Sequence, residues 1–500
     1  MSSTVIAAET DERSPLLQNS SQFVGENEIT PFASLSPDNN DERSSATKPT
    51  DPKQRLVSLD VFRGLTVAVR MLSSLSRFLL IILMILVDDA GGAFPSINHS
   101  PWFGVTLADF VMPFFLFSVG ISISLVFKKV SSKPAATKKV VLRSIKLFLL
   151  GLILQGGYFH GRDDLTYGVD VNQIRWMGVL QRISIGYLFA SVTEIWCVNN
   201  NEVNSAIAFV KKYYIQWLFV LVLGVLYMSL LYGVYVPDWS FQVINQNFSS
   251  SVPQTQTVNC GVKGSLEPPC NAVGLIDRLL LGESHLYKRP VYKRTQECSI
   301  NSPDYGPLPP NAPAWCLAPF DPEGLLSSLM AAVTCFLGLQ YGHVMVHYKG
   351  YMHRIIIWLV CSSSLLILGY ILMVIGVPLS KPLYTVSYMC ITTGASGILL
   401  IAIFYMVDVM QIKKPMGLFQ WMGMNALIVY ALAACDIFPA ALHGFYWRSP
   451  EKNLVNGTEW LIVAMLGSKR WGKLVFVLLE ITFWGLVSGF LHVKGIYVKL

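Results

Sequence analysis

Charge is what this sequence lacks. Asp, Glu, Lys and Arg make up 14% of its 500 residues, against about 25% in soluble globular proteins. A soluble fold could not cover its surface with so few polar groups. With 53% hydrophobic residues, disorder over most of the length is excluded too. Local catalytic signatures are missing: there is no HExxH, GxSxG or P-loop. The absence of any CxxC pair argues against a structural zinc site. The net charge is +7, but the basic residues fall in short clusters between apolar runs, so no nucleic-acid groove is indicated. No apolar stretch opens the chain, and a cleavable signal peptide is not expected.

What is present is a series of long apolar runs, with a mean hydropathy of +0.47. They are Leu59–Val87, Leu107–Phe127, Val140–Gly157, Val179–Val198, Tyr214–Tyr235, Gly324–Val346, Ile355–Val377, Val386–Val407, Gly417–Phe438 and Gly472–Val493. Each is near the ~20 residues that cross a bilayer. Lipid admits only structures that satisfy their own backbone, so the expected fold is an all-α transmembrane bundle of about ten spans. Trp460–Gly467 is too short to cross and reads as interfacial.

Residues 1–55 differ from the rest. They carry 9 acids against 5 basic residues and are rich in Ser, Asn and Pro, which reads as a disordered tail. Within it, Glu12-Arg-Ser-Pro-Leu-Leu has the form of an acidic dileucine signal read by cytosolic sorting adaptors. Residues 56–500 form the membrane domain. Lys128, Lys129, Lys133, Lys138, Lys139, Arg143 and Lys146 crowd the loop after the second span. Lys211, Lys212, Lys349, Arg354, Lys413 and Lys414 fall in loops on the same side. Basic short loops face the cytosol, so both termini are placed there and the stretch 237–322 on the luminal side. That stretch holds 12 of the 26 prolines and four of the nine cysteines. Cys260, Cys270, Cys298 and Cys316 read as two disulfides, with three pairings open. Asn247-Phe-Ser and Asn456-Gly-Thr are glycosylation sequons on the same side.

Charged groups at or within spans are the candidates for chemistry, because lipid penalises them. Asp60 and Arg63 open the first span, and Asp88 and Asp89 close it. Asp109 opens the second. His99 lies in the loop between, beside three carboxylates, and imidazole suits proton or acyl transfer near neutral pH. A carboxylate partner would fix its tautomer. His160, His285 and His443 are rivals on the same side. Gln181 and Arg182 lie inside the fourth span, where the guanidinium either binds an anion or pairs with an intramembrane acid. Asp277 and Arg278 stand in the long loop, and Asn425 in the ninth span, where an amide must bond between helices.

Six stretches recur in order: Ser58-Leu-Asp-Val-Phe-Arg-Gly, Trp102-Phe-Gly-Val-Thr-Leu-Ala-Asp-Phe-Val-Met-Pro, Gly178-Val-Leu-Gln-Arg, Ile276-Asp-Arg-Leu-Leu-Leu-Gly, Asp321-Pro-Glu-Gly and Gly423-Met-Asn-Ala-Leu-Ile-Val-Tyr. As an ordered set they resemble the heparan-alpha-glucosaminide N-acetyltransferase family, closest to its land-plant members. The resemblance implies acetyl-CoA as donor, no metal, and a glucosamine-like or other glycan acceptor on the luminal side of a lysosomal or vacuolar membrane. It implies His99 as catalytic residue, with Asp88 and Asp109. Arg63, Gln181, Arg182 and Asn425 would hold the donor, and Asp277 and Arg278 the acceptor. The chain departs from the family at Asp88, where animal members carry Asn, and in Val69–Ile82, which reads as an insertion in the first span. A transporter of a small anionic or sugar-like solute, with Asp109 and Arg182 as ligands, is the second reading. It calls for repeat-related broken helices, and no such symmetry is visible. A homodimer is left open.

Overall fold

A computed structural model describes residues 79–155 apart from 95, 129 and 131, then 171–198, 205–243, 254–411 apart from 288, 417–434, 442, 444–449 and 451–496. The tail, the dileucine motif, Asp60, Arg63, Asn247, His160, His443, Cys435 and most of Val69–Ile82 lie outside these residues.

Helices account for most of what is described. They are α1 (79–90), α2 (Leu107–Val126), α3 (Lys133–Gln155), α4 (Val179–Cys197), α5 (Ala206–Gly233), α6 (Ala272–Leu281), α7 (Leu325–His347), α8 (Tyr351–Ile375), α9 (Val386–Phe404), α10 (Gly417–Met424), α11 (Ala426–Val429), α12 (Leu454–Leu466) and α13 (Lys469–Val493). The protein is a polytopic membrane protein. Among the described residues, six helices are long and apolar enough to cross a bilayer: 107–126, 207–233, 325–347, 351–375, 386–409 and 469–493. The other expected spans differ for visible reasons. Helix α3 starts in a basic cluster and α4 carries Arg182 and Glu194. The ninth span is interrupted at Asn425, between α10 and α11.

The centre of the bundle is α7, whose buried residues occur all round its circumference. It packs along α2, with α4 and α5 beside it. The α2–α7 approach depends on missing side chains. A Cβ at Gly120 would lie 2.0 Å from the Cys335 carbonyl oxygen, and one at Gly342 would lie 2.0 Å from Ser124 Oγ. Small residues let membrane helices approach closely where lipid supplies no hydrophobic drive.

The stretch 237–322 is not structureless. Within it Trp239–Val243 pairs antiparallel with Gln254–Val258, and Val262–Lys263 pairs with Tyr235–Val236 just before it. Disulfides Cys260–Cys270 and Cys298–Cys316 decide among the three pairings. From this stretch Tyr292 and Phe320 pack on Trp102, and the Trp102 indole N–H donates to the Leu266 carbonyl at 2.9 Å. The long loop thereby clamps the short loop that carries His99.

Candidate active site

Residues 91–106 connect α1 to α2, and Thr106 is the N-cap of the second helix. Asp109, three residues on, reaches back so that its Oδ2 accepts the Thr106 N–H at 3.0 Å, the reciprocal bond of a capping box. The same oxygen accepts the Ser100 N–H at 3.1 Å. Oδ1 is left facing His99 Nδ1 at 2.7 Å. The Asp109 side chain is fully buried, while 30% of the His99 side chain remains exposed. Pro113 lies four residues beyond Asp109 and has no N–H for its carbonyl. The Tyr388 hydroxyl, from α9, donates to that carbonyl at 2.5 Å instead. Buried carbonyls need such partners, so a proline in α2 is answered by a tyrosine in α9, which fixes the helix start.

The loop is also held from outside. Asn98 Oδ1 accepts the His99 N–H at 2.8 Å and a bond from Arg294. The Asn98 amide donates to Asp304. Arg294 and Asp304 belong to the disulfide-bearing stretch.

A third charged group completes the site. Lys381 Nζ lies 3.0 Å from His99 Nδ1, 3.3 Å from Nε2 and 3.7 Å from Asp109 Oδ1. Near-equal distances to both ring nitrogens aim the ammonium at neither lone pair. It therefore acts on the imidazole as a charge rather than as a linear hydrogen bond. Burial, and then Lys381, push the His99 imidazole below its ordinary range, outweighing Asp109. The ring is thus neutral near pH 7. With Nδ1–H directed at Asp109, Nε2 holds the free lone pair, a tautomer assigned from the bonding pattern.

Lys381 sits in a turn between α8 and α9. The Tyr384 N–H donates to the Lys381 carbonyl at 3.1 Å, and the Gly104 N–H to the Leu379 carbonyl at 2.8 Å. Tyr384 takes φ = 56°, a left-handed conformation costly for a bulky residue. Its buried ring is fixed by Thr334 at 3.0 Å, by Tyr388, and by the Arg182 guanidinium 5.4 Å from its centroid. Arg182 thus bears on the turn that delivers Lys381.

The other sequence candidates fall at varied distances from this pair. Arg182 is buried and donates to the Pro322 carbonyl at 2.9 Å and to Ser327. These bonds replace the ion pair expected of it. Gln181 and Asn425 are both fully buried, with amide atoms that have no partner among the described residues. Asp88 is exposed in the last turn of α1. Asp277 is fully buried and caps α7, its Oδ1 accepting the Leu325 N–H at 2.8 Å. Burial, and then Asp321, push its carboxyl up to about 7. Arg278 lies over the Trp239 ring at 3.5 Å, and burial lowers its guanidinium to about 10. The rival His285 is committed to the Ile174 carbonyl at 2.7 Å.

Two comparisons bear on this geometry. A family model described as a domain of unknown function (DUF5009) matches residues 55–163, which include His99 and Asp109. The heparan-alpha-glucosaminide N-acetyltransferase of Mus musculus is 27% identical over 457 residues, covering 85% of this chain and 59% of that protein. Its Homo sapiens counterpart is 26% identical over 454 residues, covering 82% of this chain and 58% of the relative. The chain is similar to the heparan-alpha-glucosaminide N-acetyltransferases. It spans just under three-fifths of their length.

Sequence reasoning missed several polar partners. Lys381 is one, though a lysine in a short loop opposite the basic loops was a visible signal. Arg175 is another. Its Nε donates to Asp321 at 2.8 Å, and its other arm reaches Asp321 and Glu323. This gives the Asp-Pro-Glu-Gly stretch a structural role. Burial would raise Glu323, but Arg175, Arg182 and Lys381 together outweigh it and hold that carboxyl below its usual range. At the far end of α7, His343 lies 3.0 Å from Glu194, which also accepts from Gln216 at 2.7 Å.

Proposed function

We propose that this protein transfers the acetyl group of acetyl-CoA to the amine of a glucosamine-like sugar, with His99 as the catalytic group. One observation carries the reading. A neutral imidazole is oriented by a buried carboxylate at 2.7 Å, remains 30% exposed, and has an ammonium within 3.3 Å of both ring nitrogens. The names of the relatives supply the reaction class, and the site supplies the chemistry for it.

The lone pair on His99 Nε2 serves either of two routes. It attacks the thioester carbonyl to give acetyl-imidazole, or it takes the proton from the acceptor amine as that amine attacks. In both, Asp109 stabilises the imidazolium that forms. In both, charge develops on the acetyl oxygen, and the Lys381 ammonium is the nearest fixed cation to meet it. Tyr388, Tyr384, Arg182 and Asn98 act through position, holding the helix start, the lysine turn and the loop.

Acetyl-CoA is assigned to the side of the basic loops, the cytosol, and the acceptor to the opposite, luminal side. Gln181 and Asn425, buried amides without partners among the described residues, suit the amides of a pantetheine arm. Arg63 is assigned to the donor's phosphates, Asp88 to the catalytic group with Asp109, and Asp277 and Arg278 to the acceptor side. A lysosomal or vacuolar membrane agrees with the dileucine motif. The test is acetyl transfer by purified protein across a panel of amino sugars. Transfer to glucosamine is expected, and no transfer to any member would overturn the reading.

A further inference from the structure

We propose that Lys381 is itself an acetyl acceptor, so that the protein acetylates and silences its own site when no sugar amine is present. The inference rests on the function proposed above. It starts from the position of the amine: Nζ is 3.3 Å from His99 Nε2, the atom that carries the acetyl group on the covalent route and takes the amine proton on the other. Nucleophile and carbonyl carbon react fastest when held about 3–3.5 Å apart, with effective molarities up to about 10⁵–10⁸ M, and an acetyl carbon on Nε2 is one bond length from the atom that Nζ already faces. The sugar amine and the Lys381 amine are the same functional group, and one of them is permanently in place.

The step balances without a further reagent. The free amine of Lys381 attacks the acetyl carbonyl carbon, an N–C bond forms, and the C–S bond to CoA breaks. On the covalent route, the bond broken in this step is the one from the acetyl carbon to Nε2. The proton leaves the amine through His99, and CoA departs as the thiol. The products are Nζ-acetyl-Lys381 and CoA. Once formed, the amide has no charge to place beside His99, and sugar acetylation stops.

The experiment uses the full-length protein in detergent with acetyl-CoA, with or without saturating glucosamine, followed by peptide mass spectrometry. Without sugar, the Lys381 peptide is expected to gain one acetyl group at least about tenfold faster than peptides carrying Lys138 or Lys139, given the effective molarity. Glucosamine is expected to slow it, and activity is expected to fall in step with the modification. His99→Ala should remove the selectivity. Lys381→Arg should resist the time-dependent loss, measured against its own starting rate. If the preparation acetylates glucosamine while Lys381 reacts no faster than Lys138, the inference is wrong and the proposed function stands. If neither glucosamine nor Lys381 is acetylated, the proposed function falls with it.

Discussion

Replacing Asp109 by Asn separates its two jobs. Oδ2 accepts the backbone N–H groups of Thr106 and Ser100, and an amide oxygen in that place keeps both bonds. Oδ1 accepts from His99, and the amide nitrogen that replaces it donates instead. His99 Nδ1 must then accept, so its proton moves to Nε2 and the reacting lone pair is lost. In a triad of the same logic, the wrong tautomer costs about 10⁴ in rate, equivalent to roughly 5.5 kcal/mol of transition-state stabilisation. The fold should lose only about 1–2 kcal/mol, the worth of one charge-assisted bond. The assay is acetyl transfer from acetyl-CoA to glucosamine in proteoliposomes, beside a thermal unfolding curve of the same preparation. A variant that unfolds near the wild-type temperature but transfers 10³–10⁴-fold more slowly, an estimate from the same tautomer argument, is the expected outcome. Transfer within about threefold of wild type would refute a tautomer-fixing role for Asp109, since the triad argument requires far more.

Asp277 makes stability depend on pH. Its folded carboxyl lies at about 7 against an ordinary 3.8, so the folded state holds the proton more tightly. Stability should fall by a few kcal/mol as pH rises from about 4 to about 7 and level off above. Asp277→Asn, which still accepts the Leu325 N–H, should flatten that slope, and an unchanged slope would refute the assignment. The disulfides close loops with sequence separations of 10 and 18, so each should contribute about 3 kcal/mol. Non-reducing peptide mapping should recover Cys260 with Cys270 and Cys298 with Cys316. Glu194→Ala leaves His343 and Gln216 without their shared acceptor and should destabilise by about 3–5 kcal/mol. The folded fraction of that variant should keep its turnover, since Glu194 lies at the other end of α7 from the His99 site.

A carboxylate beside His99 was legible because three acids flank it in sequence, but that Asp109, ten residues on, is the one it meets needed the start of α2 to be seen. The paired cysteines were legible from their concentration in a proline-rich loop. Lys381 was not, since 282 residues separate it from His99 and only the packing of the helices brings them together. Arg175 and Asp321, 146 residues apart, were hidden for the same reason. Arg182 was expected either to bind an anion or to pair with an intramembrane acid. The segment leading into α7 offers it a carbonyl and serine hydroxyls instead, and the intramembrane acid Glu194 pairs with His343. Apolar pattern gave most helices, but not the break at Asn425 or the strands in the long loop, where no periodicity was long enough to read.

The central claim is that His99 carries the chemistry and does not merely hold the fold. The most direct measurement pairs acetyl transfer with acetyl-CoA binding for His99→Ala in a preparation whose unfolding temperature is recorded. Loss of a nucleophile or general base removes at least about 10²–10⁴ in rate, while donor contacts made elsewhere are untouched. A folded variant that binds acetyl-CoA with wild-type affinity and transfers almost nothing is the predicted result. Transfer at the wild-type rate would contradict the account and move the search to His160 and His443.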